Sequence, residues 1–156
     1  MPGYSESLGK HLESKGVWHR FVEFSDPVKT VEQAGRKVPV DKIVKSIVMI
    51  DSNGSPLLAI LRAQDRVSFR KIKRLLGVKD VRLANAEEVL NASGFPAGGV
   101  APFNSIARAL LDPTVLTNET CFVGGGDIDK LLEVRTQDIV EMVRPKIVDI
   151  RDEREK

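Results

Sequence analysis

Hydrophobic positions along this 156-residue chain switch repeatedly between a helical and an extended rhythm. Ser5-Glu6-Ser7-Leu8 opens a short helix ending near Gly16, where glycine easily takes the left-handed turn that closes a helix. Val17 to Phe24 nearly alternates and predicts a strand. Asp26-Pro27 breaks it, and Thr30 is placed to cap a second helix through Gly35 and Arg36, stopped by Pro39. Ile43 to Ile50 is the strongest strand pattern, and Asp51-Ser52-Asn53-Gly54 predicts a hairpin turn into Leu57 to Leu61. Ser68 caps a basic helix whose Phe69, Ile72, Leu75 and Leu76 fall on one face before Gly77. Val81 to Ala84 is extended, and Asn85 caps a helix from Ala86 to about Ser93, closed by Gly94.

The segment from Gly94 to Asn104 breaks both rhythms. It holds three glycines and two prolines with no period, which predicts a shaped loop. Ile106 to Leu111 and Thr120 to Val123 are extended, and Gly124-Gly125-Gly126-Asp127 turns the chain into Leu131 to Val134. Thr136 is expected to cap a last helix through Val143, with Pro145 separating it from a strand at Ile147 to Ile150. No repeat and no domain boundary interrupts this order. It predicts one α+β domain over residues 1–150, helices alternating with a mixed sheet, and a wholly charged tail, 151–156, that frays.

Composition excludes several classes. Hydrophobic residues make up 42% and charged residues 29%, too much apolar surface for a disordered chain. No apolar run approaches the ~20 residues that cross a bilayer, and no signal-peptide order is visible at the start. One cysteine, Cys121, cannot form an internal disulfide, and with only His11 and His19 a histidine-rich metal centre has no ligands; a reducing cytosol is the expected compartment. Net charge is 24 minus 22, or +2, and is unevenly spread. Arg62, Arg66, Arg70, Lys71, Lys73, Arg74, Lys79 and Arg82 face only Asp65 and Asp80 across one stretch. That is either a solvated helix face or a stripe that contacts phosphates, and composition leaves both open.

Three constellations could carry chemistry. Lys45 is one ammonium inside an apolar strand, where it must snorkel, pair, or line a polar cavity and hold an oxyanion or phosphate. Gly98, Gly99 and Pro102 form a compact loop whose backbone could approach a ligand closely, although it lacks the lysine and hydroxyl of a Walker loop. Gly124-Gly125-Gly126 is either a tight hairpin or a pocket wall. There is no Gly-x-Ser-x-Gly elbow, and Cys121 sits in an apolar strand where a thiol is inert, so an enzyme built on this chain works without a side-chain nucleophile or metal.

Together these residues resemble the YbaK/ProX-type aminoacyl-tRNA deacylases, which share a fold with the editing domain inserted in bacterial prolyl-tRNA synthetases. The resemblance runs in order through Val38-Pro39 to Lys45-Ser46, Val67-Ser68-Phe69 to Leu76-Gly77, Leu83-Ala84-Asn85 to Val89, Ser93-Gly94-Phe95, Gly98-Gly99-Val100-Ala101-Pro102-Phe103, Asp112 and Gly125-Gly126. It implies a barrel-like, mostly antiparallel mixed sheet surrounded by helices. It implies a hydrolase that removes a wrong small amino acid, alanine or cysteine, from tRNA, with proline tRNA leading, a prolyl-tRNA synthetase as possible partner, and no cofactor. Lys45 would contact the terminal phosphate and place the ester, and the Gly98–Pro102 backbone would hold the aminoacyl group while a ribose hydroxyl helps position water. Ser46, Phe95, Val100, Ala101, Phe103, Asp112, Gly125 and Gly126 would complete the substrate site, with Arg66, Arg70, Lys71 and Arg74 as tRNA contacts. Ser46 replaces the family's usual threonine and keeps its hydroxyl; Asn104 stands where a glycine usually closes the loop. A non-catalytic relative that binds tRNA or protein is the alternative. A deacylase requires Lys45 and the Gly98–Pro102 loop to meet at one cavity.

Overall fold

The computed structural model describes residues 3–153. The elements are α1 (Tyr4–Ser14), β1 (His19–Glu23), α2 (Val31–Ala34), β2 (Val44–Asp51), β3 (Pro56–Arg62), α3 (Phe69–Leu76), β4 (Val81–Leu83), α4 (Ala86–Ser93), β5 (Ala109–Leu111), β6 (Thr120–Gly124), β7 (Lys130–Arg135), α5 (Thr136–Val143) and β8 (Lys146–Ile147). Short 3-10 turns occupy Val40–Lys42 and Pro113–Thr117. Among the described residues the strands form two sheets, ordered β1-β7-β6 and β4-β2-β3-β5-β8, joined by a single Ile43–Phe122 bridge. The α+β class and mixed pairing hold, because β5 runs parallel to both β3 and β8 while the other pairs are antiparallel. The barrel-like closure does not: one bridge is too little pairing to make the sheets continuous.

Local signals place most helix ends. Thr30 with Gln33, and Asn85 with Glu88, complete reciprocal capping boxes, and Ser68 Oγ accepts from the Lys71 N–H at 3.2 Å. Gly77 and Gly94 close α3 and α4 in the left-handed conformation. Two polar residues at helix starts bond elsewhere, one of them the expected cap Thr136. Thr136 begins α5 but donates to the Asn118 carbonyl at 2.7 Å, and the preceding Arg135 provides no side-chain cap. Ser5 lies inside α1, donates to the Gly125 carbonyl and accepts from the Asp127 N–H, tying the helix to the glycine turn.

The apolar run of β2 is covered on both faces. Val44 and Val48 join a large cluster with Leu8, Leu12, Val100, Phe103 and Leu132, while Met49 joins Leu57, Leu61, Ile72 and Val81 opposite. The predicted strand at Ile106 contracts to Ala109–Leu111, and the last strand falls earlier than expected, at Lys146–Ile147. The charged tail does not fray over its first residues. Arg151 bridges to Val67, the Asp152 N–H donates to the Arg66 carbonyl at 2.7 Å, and Glu153 approaches Lys71 at 3.7 Å. The rest of that tail lies outside the described residues.

Candidate functional site

Successive side chains on a strand leave on opposite faces, so β2 delivers two neighbours to different surroundings. Ser46 shares the face of Val44 and Val48, and Lys45 that of Ile47 and Met49. Both nevertheless line one cavity of about 260 Å³, together with Thr30, Ala63, Gly98, Val100 and Gly124. The strand lysine and the glycine-proline loop therefore do meet.

The Lys45 ammonium donates to the Asp65 carbonyl, while the Asp65 carboxylate pairs with Arg62 at 2.9 Å. Burial lowers the Lys45 pKa below lysine's ordinary 10.5; nearby Asp65 opposes the fall and Arg66 adds to it. An ammonium has three donors, so a ligand oxygen can share this one. Beside it, Ser46 Oγ is sealed from solvent and has no hydrogen-bond partner among the described residues. A hydroxyl left so costs ~1–3 kcal/mol.

Main chain forms the opposite wall. The Gly126 N–H donates to the Gly99 carbonyl at 2.9 Å, pressing the loop against the glycine turn. A Cβ on Gly99 would stand 2.1 Å from the Gly126 oxygen, and one on Gly124 would stand 2.1 Å from the Val100 oxygen. Gly98 takes φ +92°, which side chains resist. Among the described residues the N–H groups of Gly98 and Val100, two residues that line the cavity, have no protein acceptor. Asn104 closes the loop without a glycine's freedom: its amide donates to the Ala101 carbonyl at 2.7 Å and its oxygen accepts from the Ile106 N–H at 2.9 Å.

The model of the aminoacyl-tRNA editing domain matches residues 25–142. This chain belongs to that family. The matched interval contains every residue lining the 260 Å³ cavity. The editing domain is 32% identical to the proline–tRNA ligase of Thermosipho africanus over 109 residues, which cover 68% of this chain and 19% of the ligase. With the proline–tRNA ligase of Thermotoga maritima it shares 29% over 137 residues, 81% of this chain and 23% of the other. It thus spans about a fifth of the length of these relatives. A crystal structure of a candidate trans-editing enzyme for prolyl tRNA synthetase superposes with TM-score 0.86 and 25% identity, covering 97% of this chain and 99% of that one.

Other expected site residues lie elsewhere in the editing domain. Phe95 and Phe103 line a separate hollow of about 560 Å³ with Tyr4, Ser7, Leu8 and His11 of α1. Ala101 and Pro102 are buried in the packing under the loop, and Gly125 and Gly126 back its wall without lining the 260 Å³ cavity. Asp112 is not a cavity residue. Fully buried, it accepts from the Thr114 N–H and hydroxyl and from the Ile150 N–H, fastening the Pro113–Thr117 turn and the C-terminal segment. Of the basic residues, Lys71 is a staple, bound to Asp149 at 2.8 Å, whereas Arg70 and Arg74 are exposed. Arg66 lines a third hollow, which Lys45 also borders.

The segment ahead of and through α2 supplies the wall that the sequence did not announce. Val28, Thr30, Val31 and Ala34 line the cavity, but their only visible signal was the capping role of Thr30. Burial pushes the Cys121 thiol up to about 11, so it is no nucleophile at neutral pH. Among the described residues no group of His, Cys, Asp and Glu could hold a metal, and no helix is long and apolar enough to cross a membrane.

Proposed function

We propose that this editing domain hydrolyses the ester joining a small amino acid, alanine or cysteine, to the 3′ end of proline tRNA, acting in trans on the product of a prolyl-tRNA synthetase. One observation carries the reading: Lys45, Ser46 and the Gly98 loop converge on one cavity. At about 260 Å³ it lies below the ~300–1,000 Å³ of drug-sized ligand sites, which suits a small acyl group. The relatives' names point to the proline system.

In this reading Lys45 holds the terminal phosphate and sets the position of the ester. The Gly98 and Val100 N–H groups stabilise the oxyanion that forms when water adds to the carbonyl, and Ser46 bonds to the aminoacyl group. The acyl–oxygen bond breaks, the ribose oxygen takes a proton, and amino acid and tRNA separate. With no His, Asp or Glu lining the cavity to activate its hydroxyls, water is positioned by backbone and by a substrate hydroxyl. The need for such a step is energetic. A synthetase pocket that admits proline excludes a similar or smaller side chain by only ~1–3 kcal/mol, so a second sieve must supply the remaining discrimination.

The test is a panel of tRNAs charged with small amino acids, scored for loss of the acyl label against a no-protein control. Alanyl or cysteinyl proline tRNA is expected to be cleaved, with or without a chelator. Background rates for every small amino acid, alongside measurable tRNA binding, would replace catalysis with a binding role for the same cavity.

A further inference from the structure

Ester hydrolysis leaves the third hollow unexplained. It encloses about 370 Å³ between β2, the start of α3 and β4, lined by Lys45, Arg66, Phe69 and Leu83 among others. Helical spacing puts Phe69 with Ile72, Leu75 and Leu76, yet only those three join the core cluster. Phe69 stays 38% exposed and Leu83 beside it 55%, so two large apolar side chains are held open at one surface site.

The same hollow is cationic. Lys45 and Arg66 both border it, close enough for Arg66 to work against the ammonium charge while Asp65, itself paired with Arg62, works more strongly in its favour. An anion bound between the two cations would be attracted by both. Arg70 and Arg74 continue the positive surface outward along α3, and Asp152 is the one carboxylate among the lining residues. Lys45 also lines the 260 Å³ cavity, so a chain whose esterified end enters that cavity and whose phosphate meets Lys45 continues into this hollow.

We propose that the hollow binds the nucleotide immediately 5′ of the esterified one, its base stacked on Phe69 beside Leu83, with the phosphate that links the two nucleotides between Lys45 and Arg66. This assignment rests on the editing reading above. Sites for single-stranded nucleic acid combine a cationic track with an aromatic face, and stacking tolerates any base, so Phe69 contributes grip and not choice of sequence.

The test compares two esters of one amino acid, on adenosine alone and on the trinucleotide cytidine-cytidine-adenosine. Phe69→Ala is expected to lower the trinucleotide-to-adenosine ratio of kcat/KM about tenfold, the loss of one stacking contact, and Phe69→Trp to restore it. Combined with Trp18→Phe, which removes the chain's one native tryptophan, Phe69→Trp also reports binding directly. Its emission should be quenched saturably by the uncharged trinucleotide, and less so at high salt. An unchanged ratio in Phe69→Ala, or emission indifferent to the trinucleotide, overturns the proposal. A wild-type protein that cleaves neither ester overturns the editing reading instead, and the emission titration still decides the hollow.

Discussion

The two hollows that share Lys45 are built from different material. The 260 Å³ cavity has a wall of main chain, where Gly99 and Gly124 let two backbones touch. The 370 Å³ hollow is a rim of long side chains around an exposed phenylalanine. A backbone wall cannot give way, so one added carbon is ruinous there. A rim of cations and apolar groups loses function by degrees.

The largest effect should therefore come from Gly99→Ala, whose Cβ would overlap the Gly126 oxygen. We expect a loss of about 3 kcal/mol in chemical denaturation, the upper end of overpacking costs, and no measurable hydrolysis. Gly54→Ala sharpens the point: at φ +82° with open space around it, strain alone should cost ~1–2 kcal/mol and spare hydrolysis. Equal losses at both glycines would mean that the backbone contact is not what matters.

Next comes Lys45→Ala, expected to lower kcat/KM about 100-fold with the fold retained, as for removal of one preorganised electrostatic contact. Turnover at the wild-type rate would remove Lys45 from the site. Its titration gives a third, smaller effect. Burial lowers the folded pKa below 10.5, and the charged form is the one that holds phosphate. That contact is complete below the folded pKa and lost as pH rises through it. After subtraction of spontaneous ester hydrolysis, kcat/KM should fall on the alkaline side earlier than an ordinary lysine would dictate. Lys45→Arg should move that limb upward if it retains activity; an identical limb in both proteins would assign it to another group.

The smallest effects lie on α3. Arg70→Ser and Arg74→Ser should each reduce the slope of log affinity for tRNA against log salt by about 1, with the preferred amino acid unchanged. Lys71→Ser should leave that slope alone and cost less than about 1 kcal/mol of stability, because its ion pair with Asp149 is partly exposed. If Lys71 alters the slope as the arginines do, the division between staple and contact fails.

What could be read from the sequence depended on how far away each partner was. Thr30, Ser68 and Asn85 cap helices because the N–H groups that donate to them sit three residues on, and the apolar run of β2 fixed its burial. Lys45 stood out because an ammonium in such a run needs a reason. Ser5, Asp112 and Thr136 carry equally polar side chains, but their bonds reach Gly125, Ile150 and Asn118, and local spacing contains no trace of those. Phe69 fitted the apolar stripe of its helix and was left outside the core by the packing of β2 against β4 and α3. The separation into two sheets was hidden for the same reason: strand patterns predict faces, whereas closure depends on which edges find each other.

Strand β5 carries a consequence for synthesis. Ala109, Leu110 and Leu111 are all buried, flanked by β3 on one side and β8 on the other. A ribosome working from the N-terminus makes β3 and β5 well before Lys146 and Ile147, which cover the outer side of β5. Until Lys146 and Ile147 have emerged and paired, β5 therefore presents apolar residues beside unpaired N–H and C=O groups, a template for pairing with another chain. Rapid docking of the last strand shortens that exposure, and any delay in its arrival prolongs it.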